Sequence, residues 1–237
     1  MGSDDGVILS AKGLSVSYAS VNVLEGLDLK VREGEFVAVV GESGCGKTTL
    51  LNALGGSLQH EGRVVRPEHI GVVFQNDAVF PWMTVEDNIG FGLRGLRGVE
   101  HYLKMTGLDE KRRNFPYELS GGQVQRVALA RTLAAEPDLI LMDEPYGSLD
   151  VYTRDRMQRW LLDVWEREKK TIVFVTHSIE EAVFLSDRVI LLKDRRLVGE
   201  FRVGLPRPRE QDVRFSGRFV RLVREITRAI GINSHAA

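Results

Sequence analysis

Eight residues, Gly41-Glu42-Ser43-Gly44-Cys45-Gly46-Lys47-Thr48, constrain this chain more than any others. They fit G-x-x-x-x-G-K-[ST] without a gap, and they stand between two segments of different character. Before them, Phe36-Val37-Ala38-Val39-Val40 is a short continuous apolar run, as expected of a parallel strand buried on both faces. After them, Thr49-Leu50-Leu51-Asn52-Ala53-Leu54 reads as a helix. Strand, glycine loop and helix in that order call for an α/β fold with a mainly parallel sheet. The competing reading, a chance glycine-rich turn, does not account for the flanking elements. In such a loop the glycines let the backbone wrap a polyphosphate while N–H groups and the helix N-terminus face its charge. Lys47 can reach the β- and γ-phosphates and the Thr48 hydroxyl can take Mg²⁺, with Gly41, Glu42, Ser43, Gly44, Cys45, Gly46 and Thr49 around the nucleotide.

A second strand, Leu139-Ile140-Leu141-Met142, runs into Asp143-Glu144-Pro145. Ligands of open parallel sheets bind at the carboxyl ends of strands, so Asp143 is expected to hold Mg²⁺ and Glu144 to polarise an attacking water as general base. Val72-Val73-Phe74-Gln75 reads as a neighbouring strand ending in an amide, from which Gln75 could reach metal and water. The β-rich run Thr171-Ile172-Val173-Phe174-Val175-Thr176 ends in His177, a candidate for the γ-phosphate. Asp150, after the acidic strand, could carry a carboxylate to a second copy, and Tyr18 could stack on adenine.

Between the phosphate loop and the acidic strand lies Leu119-Ser120-Gly121-Gly122-Gln123. It offers backbone N–H groups, a hydroxyl and a helix start, which together make a second anion site. Two phosphate-binding elements but only one complete nucleotide site suggest two copies meeting over shared ATP.

In this order and spacing the motifs resemble those of the ATP-binding subunits of ABC transporters over nearly the whole chain. Tyr18 looks like the adenine-stacking aromatic, residues 41–48 the Walker A loop, Gln75 the Q-loop glutamine and residues 119–123 the signature. Asp143 and Glu144 match the Walker B pair, Asp150 the D-loop aspartate and His177 the switch histidine. The resemblance implies a P-loop NTPase core with an N-terminal antiparallel β-subdomain and an inserted α-helical signature subdomain. It further implies a head-to-tail dimer in which Ser120 and Gly122 of one subunit close over ATP held by the other. Phe80-Pro81-Trp82-Met83-Thr84-Val85-Glu86-Asp87-Asn88, Glu180-Glu181-Ala182 and Leu205-Pro206-Arg207-Pro208-Arg209 are similar to the nitrate/sulfonate/taurine importer subfamily, and the stretches after residues 55 and 92 most resemble its aliphatic-sulfonate branch. The chain departs from the commoner pattern at Tyr146, at Gly147-Ser148 and at Val124, without losing a chemical group.

That resemblance implies an ATP hydrolase coupling dimer closure to uptake of a small anion such as an aliphatic sulfonate, taurine or nitrate. Its partners would be a second copy, two transmembrane permease subunits and, indirectly, a solute-binding protein. The alternatives are a soluble ABC-type ATPase acting on nucleic acid, a nucleotide sensor without hydrolysis, or a transporter ATPase for another solute, including an exporter. The charge is balanced, 32 basic against 33 acidic residues, so no nucleic-acid partner is expected. No apolar stretch approaches the roughly 20 residues that span a bilayer, and the polar start is unlike a secretory signal. The expected location is therefore the cytoplasm, peripheral on the inner face of the membrane through the permease. The single cysteine, Cys45, excludes an intrachain disulfide.

With 237 residues the chain can bury a full core. The expected organisation is a single ABC ATPase domain: core and β-subdomain over about 7–83 and 136–200, a helical subdomain over about 84–135, and a basic helical tail over about 201–237. Strands are expected within 7–31, where Leu27, Leu29 and Val31 alternate with Asp28 and Lys30, and near 138–142, 171–175 and 188–192. Thr84 and Asp87 suggest a capping box. A helix should begin near Ser120 with Val124, Val127, Ala128 and Leu133 inward, and another should span about 151–168. Phe80 and Trp82 read either as a socket for a short helix of a membrane subunit or as core packing. The tail, from Arg195 to Arg228, carries ten arginines against four acids. Its Phe219, Leu222, Val223, Ile226 and Ile230 recur at helical spacing. It reads first as a solvated helix face packed on the core, otherwise as a docking tail or a contact for anionic lipid.

Overall fold

The computed structural model describes residues 6–19, 21–74, 79–94, 98–147 and 149–231. The chain divides into two compact units, one made of Met1–Pro67 with Lys169–Ala237 and the other of Glu68–Glu168.

In the first unit, alternating residues build an antiparallel sheet. β1 (Val7–Tyr18) and β2 (Val21–Arg32) pair with Ser10 opposite Lys30 and Leu14 opposite Leu27. Leu9, Ala11, Leu14 and Val16 from β1 and Leu24, Leu27, Leu29 and Val31 from β2 are buried, while Asp28 and Lys30 face out. A short strand, β4 (Glu61–Val65), adds to the far side of β1. No apolar alternation marks β4 in the sequence, and its placement comes from pairing alone.

The parallel layer of this unit is centred on β3 (Phe36–Val40), all five of whose residues are buried. It is flanked in parallel by β7 (Thr171–Thr176) and β8 (Arg188–Lys193), and β9 (Arg196–Arg202) closes the edge antiparallel to β8. A strand with parallel neighbours on both sides needs apolar residues on both faces, which is why β3 does not alternate. Three helices complete the pattern: α1 (Lys47–Gly55) follows β3, α6 (Ile179–Leu185) links β7 to β8, and α7 (Gly217–Ile230) follows β9. α7 packs on α6 and β8. It buries Phe219, Ile226 and Ile230 and exposes Arg221, Arg224 and Arg228, so the basic tail is a solvated face on a packed helix, with Leu222 and Val223 at its margins.

The second unit holds the parallel pair β5 (Ile70–Val73) and β6 (Leu139–Asp143), with Val73 opposite Met142. Its helices are α2 (Val85–Phe91), α3 (Val99–Thr106), α4 (Gly121–Ala134) and α5 (Val151–Glu168). The capping box at α2 forms: the Asp87 N–H donates to Thr84 Oγ1 at 3.2 Å and the Thr84 N–H to Asp87 Oδ2 at 3.4 Å. The signature helix α4 packs against α2 and α3. Val127, Ala128 and Leu133 are buried as expected, but Val124 is only half-buried and Gln125 takes the inward position. Trp82 does not join a core: it is 69% exposed, beside the ring of Phe80 at 5.4 Å. The run ending at Gln75 is a strand only as far as Val73.

Candidate functional site

In the first unit, Val40 lies opposite Thr176 on one side and Leu191 on the other. Gly41 and His177 therefore leave adjacent parallel strands at the same level, at their carboxyl ends. The loop closes on itself. The Lys47 ammonium, 5% exposed, donates to Gly41 O at 3.1 Å and to Glu42 O at 2.9 Å. A Cβ on Gly41 would stand 2.3 Å from Leu192 O, so only glycine lets the loop start this close to β8. Gly46, at φ 105, turns the chain into α1 in a conformation that a side chain would strain. α1 has no side-chain cap, which leaves its first-turn N–H groups to an anion from outside the helix. Ser43, Gly44 and Thr48 are exposed and Thr49 is half-buried.

A cavity of about 420 Å³ adjoins the loop, lined by Val21, Asn22 and Val23, by Glu42–Cys45 and by Leu192–Arg195. Tyr18 ends β1 three positions before Val21 and is 48% exposed. The Cys45 thiol is half-buried, and burial pushes its pKa up, with the nearby Lys47 charge opposing. His177 is exposed in the turn between β7 and α6.

In the second unit, Asp143 ends β6 and Glu144 follows it at φ 40, in the left-handed region. Both are half-buried. The turn after them is tied internally by the Gly147 N–H to Glu144 O at 3.0 Å and by the Leu149 N–H to Tyr146 O at 3.2 Å. Two side chains that the sequence did not single out support it. Gln125, one turn into the signature helix, donates to Pro145 O, and Arg154 donates to Leu149 O at 2.8 Å. Asp150 is exposed, and its carboxyl is held below the usual range by the Thr153 side chain first and then by the Thr153 N–H. The two-residue spacing of Gln125 from the signature was a readable signal only to someone who knew where Pro145 lies.

The signature residues start α4. Ser120 is extended (φ −72, ψ 156) and exposed, as is Gly121, while Gly122 is buried. The Gln123 side-chain carbonyl accepts from the Ser120 N–H at 3.0 Å and from Lys111 Nζ at 3.4 Å. Gln123 therefore closes its own helix start. Gln75 and Ser148 lie outside the described residues.

A glycine loop at the end of a buried parallel strand, with a lysine folded onto it and an uncapped helix behind it, defines an α/β nucleotide-binding protein of the P-loop class. The family model for the ABC transporter matches residues 24–147. The aliphatic sulfonates import ATP-binding protein of Streptomyces avermitilis is 41% identical, covering 94% of this chain and 91% of that protein. The taurine import ATP-binding protein of Ruegeria pomeroyi is 43% identical, covering 82% of each. Among solved structures, a dimeric ATP-binding cassette in a post-hydrolysis state with ADP and Pi superposes with a TM-score of 0.71 at 32% identity, covering 84% of this chain and all of that one. A subunit of a Clostridium perfringens ABC transporter complex does so at 0.77 and 25% identity, covering 96% and 97%. The chain belongs to the ABC transporter family, as an ATP-binding subunit that hydrolyses ATP.

Proposed function

We propose that this chain powers an ABC importer, with ATP-driven closure of two copies coupled to uptake of a small anion such as an aliphatic sulfonate, taurine or nitrate. The observation that carries the ATPase part is the cradle itself: Lys47 folded onto Gly41 and Glu42 at a strand end level with the end of the strand that leads to His177. The names of the sulfonate and taurine relatives support the import and substrate parts.

Lys47 and the N–H groups of residues 41–49 hold the β- and γ-phosphates, and Tyr18 stacks on the base. Glu144 takes the proton of the attacking water, while Lys47 and His177 stabilise charge on the γ-phosphoryl oxygens. Ser120, Gly121, Gly122 and Gln123, with Asp150, serve the nucleotide of the opposite copy. Thr48 and Asp143 would hold Mg²⁺, with Gln75 completing the set. Among the described residues no group of three or more His, Cys, Asp or Glu side chains forms a metal cage. One hydroxyl and one carboxylate suit an ion that keeps waters and phosphate oxygens as its other ligands. Bound there, Mg²⁺ would neutralise developing phosphate charge.

No helix among the described residues is long and apolar enough to cross a membrane. In this reading the subunit therefore meets the bilayer through two permease subunits, and a solute-binding protein supplies them. A surface for the permease is offered in the second unit, by the Phe80–Trp82–Phe91 cluster and a cavity of about 380 Å³ lined by Ile70, Val72, Phe80, Phe91, Arg94 and Arg131. An exposed Trp82 beside Phe80, which lines that cavity, fits a short helix better than it fits a core. We assign the helical segment of about 84–135 to presenting the signature, and the tail from about 201 to supporting the core.

The test is Glu144→Gln. ATP affinity is expected to remain, turnover to fall by about 10²–10⁴-fold, and an ATP-bound dimer to accumulate. Near-normal turnover in this variant would overturn the assignment.

A further inference from the structure

The Leu205-Pro206-Arg207-Pro208-Arg209 run has a definite task in the first unit. Its two arginines converge on the carboxyl end of α6, the helix that begins two residues after His177. Arg209, with 1% of its side chain exposed, donates through Nη1 to Val183 O at 3.2 Å, Phe184 O at 2.8 Å and Ser186 O at 2.7 Å. Arg207 donates through Nη2 to Leu185 O at 2.8 Å. Four consecutive carbonyls, the ones a helix end leaves without partners, are thus taken up by two cations where the helix dipole favours positive charge.

The same latch is referenced to the strand that carries the phosphate loop. Arg207 binds Asp187 Oδ1 through Nε at 3.1 Å and Nη2 at 2.8 Å. The other oxygen, Asp187 Oδ2, accepts the Phe36 N–H of β3 at 3.1 Å, and the Asp187 N–H returns to Phe36 O at 2.7 Å.

The opposite end of α6 is equally tied. Glu181, 8% exposed, accepts from Thr176 Oγ1 at 2.8 Å, and its N–H donates to Ser178 Oγ at 3.3 Å. The Ser178 N–H closes the ring on Thr176 Oγ1 at 3.0 Å. His177 lies between Thr176 and Ser178, two of the residues so tied, and is itself exposed. With only seven residues, α6 is too short to be stable alone, so its place is set by what holds its ends.

We propose that Arg207 and Arg209 are positioning residues for His177: they fix α6 against β3 from behind and so fix the turn that presents the imidazole. The inference rests on the γ-phosphate role given to His177 above. Neither arginine touches substrate, and both act through the helix.

The test is ATP turnover and ATP binding by the full chain in Arg209→Met, in His177→Ala and in the double variant. Arg209→Met is expected to lower kcat by about 10- to 100-fold, the size of effect that a misplacement of about 1 Å produces, with ATP affinity unchanged. In the His177→Ala background the same substitution should cost nothing more. Unchanged kcat in Arg209→Met, or an equal loss with and without His177, overturns the inference. If Arg209→Met loses ATP binding and cooperative melting, the more exposed Arg207→Met decides by the same two comparisons. Full turnover in His177→Ala would overturn the histidine's role and this inference with it, whereas an active-site histidine with an indifferent Arg209 sinks the inference alone.

Discussion

Glu144 stands at φ 40 directly after a buried strand, a conformation that glycine adopts freely and other residues do not. Holding a non-glycine residue there costs roughly 1–2 kcal/mol. A glycine would remove that cost but add about 0.5–1 kcal/mol of unfolded-state freedom. Glu144→Gly should therefore be more stable than Glu144→Ala by about 0.5–1 kcal/mol. The comparison with alanine matters, because both variants lose the carboxylate and whatever it touches, and only the backbone term differs. In a chain of this size about 1 kcal/mol moves the melting temperature by roughly 2–4 °C, within reach of calorimetry or urea titration. Both variants should bind ATP and fail to turn it over. Glu144→Gly melting at or below Glu144→Ala would refute the strain argument. Glu144→Gly retaining normal turnover would refute the general-base role proposed for the Glu144 carboxylate.

Gly122→Ala would set a Cβ 2.7 Å from Thr153 Cγ2 and should cost about 1–3 kcal/mol in urea unfolding; Thr153→Ser, which removes that methyl, should return part of the loss. The half-buried Cys45 thiol has a raised pKa, so iodoacetamide should modify it at neutral pH more slowly than a free thiol, and ATP should slow it further. Once confirmed by mass, the adduct should block ATP binding by bulk, and unchanged affinity would count against this. The Glu86 carboxyl is held below its usual range chiefly by the Arg112 side chain. A depressed carboxylate contributes stability above its unfolded pKa and loses it as pH falls through the folded one. Urea midpoints should therefore fall on acidification below the ordinary carboxylate range, and less steeply in Glu86→Gln.

The elements that bury both faces were legible from their composition. Phe36–Val40, Leu139–Met142 and Thr171–Thr176 are apolar or β-branched throughout, and each carries its polar candidate at its carboxyl end because that is where the run stops. The hairpin of β1 and β2 was legible from alternation, and α4 from Ser120 and the residues after it. What escaped had no local pattern. β4 is an exposed strand defined by its partner. Gln125 is a polar residue at an inward helical position, intelligible only with the Pro145 carbonyl in view. Arg207 and Arg209 stand out in sequence only as part of a run that resembles one importer subfamily; their hold on α6 is not legible there, since a long side chain that ends on a buried helix terminus has the same sequence as one that ends in water.

The order in which the strands are made has its own consequence. β3 pairs with β7 and β8, and the residue opposite Phe36 is Ile172, 136 positions later. A ribosome adding about 5–20 residues per second needs roughly 7–27 s to cover that distance. For all of that time the apolar Phe36–Val40 run exists without either neighbour, while β1 and β2 can already close their hairpin. A nascent chain halted before Thr171 would carry that strand bare, an aggregation hazard for whatever chaperone meets it first.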